Sequence, residues 1–432
     1  MKDVINVGLL GCGTVGGGVI NILKDNAEEI SKRVGVPVKI KQVLARHPEK
    51  VAALDPTLAT TEDFNEIVTD PEIDIVVELL GREHPAKEYM LDALKEHKNV
   101  VTANKDVVAR YGKELFDLAG ANNLDFMFEA AVAGGIPIIR PLKACLAANK
   151  ISSLMGIING TTNYMLTKMS KEHLDFDDVL AQAQAKGYAE SDPTADIGGM
   201  DAARKLAILA SIAFNTRIDL DDVAVEGIQR INIKDIEYAK ELGYVIKLLG
   251  VAKNDPLHGI SVGVHPTMLP QSHPLATVND VYNAIYVTGD AVGETMFFGK
   301  GAGRMPTASA VCGDIVDVAR DILNDATGRI SCTCYEEKHL ATLENISSPF
   351  YMRLLVHDKP GVLAAISSAF GAQNVSLKNV VQTQMVDNFA ELVVITYHVS
   401  EFALQMAMAT LSGLPVVEEI SNVIRVEDHT LE

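Results

Sequence analysis

The chain has 432 residues, more than one hydrophobic core commonly serves, so two or three domains are expected. Hydrophobic residues make up 48% and charged residues 22%, a globular balance, while a net charge of −19 with no basic run argues against nucleic acid or an anionic membrane surface as main partner. Five cysteines (Cys12, Cys145, Cys312, Cys332, Cys334) show no CxxC pairing or zinc spacing, which suits a reducing cytoplasm, and no apolar run approaches the roughly 18 residues of a membrane span.

The opening MKDVINVGLL has the look of a short signal peptide, yet it runs into glycines rather than a small-residue cleavage site and reads as a strand. VKIKQVLA, IDIVVELL, NVVTA and DFMFEAAV then alternate with helical stretches, the pattern of a parallel sheet covered on both faces. GCGTVG follows the first strand and opens a helix, the context a GxGxxG requires. Gly11 makes the tight turn, Gly13 lets backbone approach a pyrophosphate, and Gly16 lets helix and strand pack. The N–H groups of Thr14 and Val15 would face the phosphates. Where NAD-selective folds end the second strand on an acid, this chain has VLARHPEK, so Arg46 favours a 2′-phosphate and NADP(H) while leaving NAD(H) open.

VTANK delivers Lys105 to the carboxyl end of a buried strand, where open α/β sheets bind ligands. Between about 136 and 306 the pattern is α+β. Within it GYAESDPTADIGGMDAARK gathers Glu190, Asp192, Asp196, Asp201 and Lys205 among glycines. Helical spacing sets Asp201 and Lys205 on one face, as a surface ion pair or as two groups aimed into a site. Acid clusters in loops are commonly solvated or cap helices, whereas a zwitterionic substrate would need carboxylates for its ammonium and a partly desolvated lysine as acid or base. TASAVCGDIVDVARDIL has helical period and is expected to pack back on the first domain; residues 326–349 read as a polar linker. From Phe350 the order β-α-β-β-α-β indicates a split βαβ sandwich.

GCGTVG, VTANK, EAAVAGGIPII, GIINGTTNYML, GYAESDPTADIGG, DAARKLAIL and GAGRMPTASAV, in that order over residues 5 to about 320, closely resemble the homoserine dehydrogenase family. The resemblance implies a Rossmann NAD(P)-binding domain over 1–135, with 307–325 packing back on it, and a catalytic and dimerisation domain over 136–306. It implies the reaction L-homoserine + NAD(P)+ ⇌ L-aspartate 4-semialdehyde + NAD(P)H + H+, on the route to threonine, methionine and isoleucine. Lys205 would be the proton donor, with Lys105 beside nicotinamide and substrate. Glu190 and Asp201 would bind homoserine, and Gly187 and Gly303 would line cofactor or substrate. Glu129 with the carbonyls of Val132, Gly134 and Ile136 would hold a structural sodium ion. Cys12, Met200 and Lys300 depart from common family residues without touching these groups.

LLVHDKPGVLAAISSAFGAQNVSLKNV resembles an ACT domain, carried by Asp358, Pro360 and Gly361, and implies a regulatory module over 350–428 that binds an amino acid, foremost L-threonine, near Asp358 and Gly361. A homodimer or homotetramer is expected, cytoplasmic and monofunctional, since no kinase-like segment precedes the first strand. Two other readings stay open: a non-catalytic sensor of NADPH and an amino acid, which has no need of both Lys105 and Lys205, and a dehydrogenase for another amino-acid aldehyde.

Overall fold

The computed structural model describes residues 2–386 and 389–427, so the expected domain end at 428 lies just outside the described residues. The chain divides into two compact units, residues 1–154, 203–223 and 282–338 forming the first and 155–202, 224–281 and 339–432 the second.

The first unit is built on six parallel strands: β1 (Ile5–Leu10), β2 (Val38–Leu44), β3 (Ala59–Thr61), β4 (Ile75–Glu78), β5 (Asn99–Thr102) and β6 (Phe126–Met127), in the order β3-β2-β1-β4-β5-β6. Three strands, β1, β4 and β5, are wholly or nearly buried and rich in branched aliphatics, as expected where helices cover both faces. The helices are α1 (Thr14–Asp25), α2 (Ala27–Val34), α3 (Pro48–Ala52), α4 (Asn65–Val68), α5 (Ala86–Lys95) and α6 (Lys105–Ala121). The strand order reverses between β1 and β4, so their carboxyl ends flank the crevice where such folds bind ligands.

After β7 (Ile151–Ile157) the second unit contributes α7 (Gly160–Glu172), α8 (Phe176–Ala185), α9 (Thr194–Ile197) and the start of α10 (Met200–Ala213), and then β8 (Ala224–Val225), α11 (Ile233–Glu241), β9 (Tyr244–Asp255) and β10 (Gly259–Pro270). The hairpin β11 (Tyr282–Gly289) and β12 (Gly293–Lys300) and the helix α12 (Arg304–Leu323) return to the first unit. There α12 lies along α1, and the approach explains the glycines Gly17 and Gly18. A Cβ on Gly18 would stand 2.7 Å from the Ala308 Cβ.

The 326–349 stretch is bonded along its course. Gly328 N–H donates to Asp125 (3.0 Å) and Glu336 N–H to the Asn215 carbonyl (2.8 Å), and the short β13 (Ser347–Ser348) follows. The tail is β14 (Phe350–His357), α13 (Val362–Ala372), β15 (Leu377–Val386), β16 (Phe389–Thr396), β17 (Val399–Ser400), α14 (Glu401–Ser412) and β18 (Val417–Val426). Its sheet order β18-β14-β16-β15 is the expected βαββαβ sandwich. It has its own core, with Phe370, Ile366 and Leu411 fully buried. β18 also pairs parallel with β10 (Thr267 with Arg425, Met268 with Val426), which joins the tail to the β9–β10 sheet.

Candidate active site

The nucleotide end is shaped by contacts that only glycine permits. Gly11 turns at φ +100°, and its N–H donates to the Leu44 carbonyl (3.0 Å). A Cβ on Gly16 would stand 2.1 Å from the Gly11 oxygen, so the loop could not close with a larger residue. At Gly13, the N-cap of α1, no atom lies within 4 Å of where a Cβ would be. The result is open space in front of a twelve-residue helix whose first N–H groups, those of Thr14 and Val15 among them, lack intrahelical acceptors. That cradle fits a pyrophosphate.

Two cations, Arg304 and Lys50, stand near its Cys12. Arg46 is exposed two residues beyond β2. Burial raises the Cys12 thiol, and the charges of Arg304 and then Lys50 act against that rise. Arg304 follows Gly303, the N-cap of α12 at φ +122°, and its Nη2 lies 3.0 Å from where a Gly17 Cβ would be. The sequence reading missed Arg304 and Lys50; an arginine straight after a glycine at a helix start was the available signal.

The turn that carries Lys105 is fixed from beneath. Thr102 Oγ1 donates to the buried Glu78 Oε2 (2.7 Å), Leu80 N–H donates to Glu78 Oε1 (2.6 Å), and Asn104 N–H donates to Thr102 Oγ1 (3.0 Å). Asn104 then caps α6 by accepting from Val107 N–H. Burial pushes the Glu78 carboxyl above the ordinary range, only partly opposed by the Thr102 and Leu80 bonds. Lys105 begins α6, half-buried. Next to it, Asp106 pairs with Arg204 of α10 (3.0 Å), so the turns bearing Lys105 and Lys205 are tied together. Lys205 is half-buried, and everything from Leu206 to Phe214 behind it is buried, which anchors the helix.

In the second unit Asn159 caps α7 by accepting from Thr162 N–H (2.9 Å) and donates through its amide to Asp196 (2.8 Å) and Asp201 (2.9 Å). Asp201, only 9% exposed, is therefore part of a polar cluster rather than a solvated surface pair. Asp192 is spent locally, accepting from Thr194 N–H and Oγ1. Glu190 and Gly187 are exposed on the same loop, with Gly187 at φ +71°. Beside them Lys186 donates to the Tyr164 hydroxyl (3.0 Å), and Tyr164 meets Tyr188 edge to face. Asn159, read as part of a motif without a role, is the residue that sequence reasoning missed here.

Glu129 is buried. Its Oε1 accepts from the N–H groups of Ile138 (2.5 Å) and Ile139 (2.8 Å), and its Oε2 from that of Arg140 (2.8 Å). A carboxylate has about four acceptor positions, so capacity remains for a cation. Ala133 (φ +55°) and Gly134 (φ +48°) fold the following backbone into a left-handed turn past Val132 and Ile136. That turn packs on the 300–302 loop, where a Cβ on Gly134 would meet the Gly301 oxygen at 2.5 Å. Among the described residues no group of three or more His, Cys, Asp or Glu could hold a metal, so an ion here would rest on Glu129 and backbone carbonyls. In the tail, Gly361 stands at φ +92° as N-cap of α13, and Asp358 is exposed, accepting from Gln382 Nε2 (3.4 Å).

A helix start opened by glycines at the sheet's switch point, with two lysine-bearing turns tied together in the same unit, is the arrangement of a nucleotide-dependent oxidoreductase. Residues 11–129 match the profile described as the homoserine dehydrogenase NAD-binding domain, 137–316 that of homoserine dehydrogenase itself, and 350–415 the ACT domain. The homoserine dehydrogenase of Bacillus subtilis (strain 168) is 44% identical over 426 residues, covering 98% of each chain. The crystal structure of a homoserine dehydrogenase from Thiobacillus denitrificans is 43% identical, covers 98% of each chain and superposes with a TM-score of 0.93. A hyperthermophilic archaeal homoserine dehydrogenase in complex with NADPH is 27% identical over 73% of this chain and 97% of its own, with a TM-score of 0.62. The chain belongs to the homoserine dehydrogenase family.

Proposed function

We propose that the chain interconverts L-homoserine and L-aspartate 4-semialdehyde with NADP(H) as the preferred cofactor, in the cytoplasmic route to threonine, methionine and isoleucine. The observation that carries this reading is the Arg204–Asp106 ion pair, which ties the turn of Lys205 to that of Lys105 in the unit that holds the phosphate loop. A nicotinamide nucleotide held at the loop of Gly11, Gly13 and Gly16 would supply hydride to the aldehyde carbon, or accept it from homoserine. Lys205 gives its proton to the alkoxide oxygen as charge develops there, and takes it back from the hydroxyl in the reverse direction. Lys105 orients the carbonyl and raises the local positive potential. Asp201, held by Asn159, and Glu190 receive the substrate ammonium, with Gly187 and Gly303 lining the site.

The cations Arg46, Lys50 and Arg304 support the NADP(H) preference. Arg46→Asp is expected to shift the ratio of kcat/KM for NADPH over NADH by about 10- to 100-fold toward NADH, the worth of a charge-assisted hydrogen bond of about 1.5–3 kcal/mol. Parallel steady-state assays with the two cofactors measure it, and an unchanged ratio would remove Arg46 from recognition of the 2′-phosphate. Glu129, with the carbonyls of Val132, Gly134 and Ile136, holds a sodium ion, for which an oxygen-only donor set is suited. The functional assembly is a homodimer or homotetramer, and the ACT domain binds L-threonine at the Asp358–Gly361 turn as feedback inhibitor.

NADPH oxidation by the purified full chain on L-aspartate 4-semialdehyde, with and without L-threonine, tests the reading. Turnover slowed by threonine is the expected result. NADPH binding without turnover would instead favour a sensor or another aldehyde, and threonine-insensitive turnover would remove threonine as effector. Truncation before Phe350 is a poor test of the tail, because it strips β18 from β10 and removes the partner of a buried carboxylate, Asp235, in α11.

A further inference from the structure

Against α10 the first unit has a partly open cavity of about 30 Å³ whose chemistry the dehydrogenase reaction does not use. Phe116, Phe128, Ile208 and Ile212 form its apolar wall, Lys143 and Arg217 bring two cations to it, and the thiols of Cys332 and Cys334 face it. Its lining includes no carboxylate. The Lys143 Nζ lies over the rings of Phe116 (5.3 Å) and Phe128 (5.7 Å). Arg217 reaches Cys332 Sγ through Nη2 (4.0 Å), while its buried Nε has no hydrogen-bond partner among the described residues.

We propose that Cys332-Thr333-Cys334 is a peroxide-reactive dithiol, in which Cys332 Sγ attacks a hydroperoxide and Cys334 Sγ then closes a disulfide with it. The two thiols are not equivalent. The neighbouring Cys334, and then the positive charge of Arg217 and Lys143, outweigh burial and hold the Cys332 thiol below its ordinary value. The neighbouring Cys332, with burial, pushes the Cys334 thiol up, and Cys334 donates its S–H to the Ser211 carbonyl (3.8 Å). Cys332 is thus the nucleophile, and Cys334 the thiol that resolves.

Hydrogen peroxide, little larger than a water, is small enough to enter the cavity and reach Cys332. In the first step the Cys332 thiolate forms an S–O bond with the distal peroxide oxygen, the O–O bond breaks, and the leaving hydroxide takes a proton and departs as water. In the second step Cys334 Sγ, deprotonated, attacks the Cys332 sulfenic sulfur. The S–S bond forms, the S–O bond breaks, and the hydroxide leaves as water with the proton that Cys334 gave up. The thiols lose two electrons and one peroxide is reduced to two waters.

Cys145, exposed and outside this cavity, is the internal control. Treating the reduced full chain with one equivalent of hydrogen peroxide and mapping its peptides by mass spectrometry should give a product about 2 Da lighter in the Cys332–Cys334 peptide before Cys145 is modified. In Cys334→Ser the reaction should stop at a sulfenic acid on Cys332 that dimedone traps. With iodoacetamide at pH 6, Cys332 should alkylate about tenfold or more faster than Cys145, and Lys143→Met should narrow that lead. Oxidation of Cys145 first, or equal alkylation rates at the two positions, overturns the proposal. So does a Cys332→Ser variant that consumes peroxide as the wild type does.

Discussion

Lys205→Ala should turn over L-aspartate 4-semialdehyde about 10²-fold or more slowly than the wild type while its affinity for NADPH stays within about threefold, the pattern of a lost general acid. Two structural features make the effect specific. The helix holding Lys205 is anchored by the buried run from Leu206 onward, so truncating one half-buried side chain at its start leaves the packing intact. The phosphate cradle is formed by Gly11, Gly13 and Gly16, which the substitution does not touch. Lys205→Arg separates the two roles a lysine can play. Arginine keeps the charge that stabilises a developing alkoxide but does not release a proton in the accessible range. Any turnover it recovers reports the charge rather than the proton, and the recovery should be equal in the two directions, because the equilibrium constant fixes the ratio of their catalytic efficiencies. Stopped-flow or steady-state kinetics in both directions, with NADPH titrated by fluorescence, read the outcome. Near-normal turnover in Lys205→Ala would take this lysine out of the chemistry.

The sequence disclosed those parts of the site that obey a local rule. Gly11, Gly13 and Gly16 can be read because a turn, a close approach and a helix start fall within six residues, and the tail because its periods change in a fixed order. Lys105 could be placed because a buried strand ends just before it. What stayed hidden depends on residues distant in the chain. Glu78 looked like one polar interruption of an apolar strand, and its purpose appears only with Thr102 bonded above it. Asp201 could equally have been a solvated partner of Lys205 until Asn159, 42 residues earlier, was found to hold it. Nothing local links the glycines of EAAVAGGIPII with those before GRMPTASAV, yet they permit one mutual contact, Gly134 against Gly301. Cys332 and Cys334 lay in what reads as a linker, and only the fold brings Lys143 and Arg217 to them.

Arg353→Met should cost about 3–5 kcal/mol, the penalty for leaving a buried carboxylate without its cation. Asp235 on α11 is fully buried and lies 2.8 Å from the Arg353 Nε. It also accepts from the Tyr351 hydroxyl (3.2 Å) and from Asn422 Nδ2 (2.7 Å), while Arg353 extends the network to Glu391 (3.4 Å). Each ACT strand in the network thus grips the same helix. Methionine fills much the same volume, so the loss reports charge rather than a cavity. The double variant Asp235→Asn/Arg353→Met should therefore be more stable than Arg353→Met alone, because no bare charge remains. Acid should weaken the same junction. Burial raises the Glu391 carboxyl, but bonds from Lys234 and Tyr238 outweigh it and hold the group below its ordinary 4.5. Its contribution is present above pH 4.5 and lost as pH falls through the depressed folded value. Because a chain of this size need not unfold in one step, hydrogen exchange of α11 and β14 amides is the fitting probe, with melting curves beside it. If exchange in α11 is as slow in Arg353→Met as in the wild type, the ion pair does not hold the ACT sandwich to the β9–β10 sheet. Faster exchange in both elements, corrected by the double variant, would make this network the mechanical link through which an amino acid bound in the tail could act on the rest of its unit.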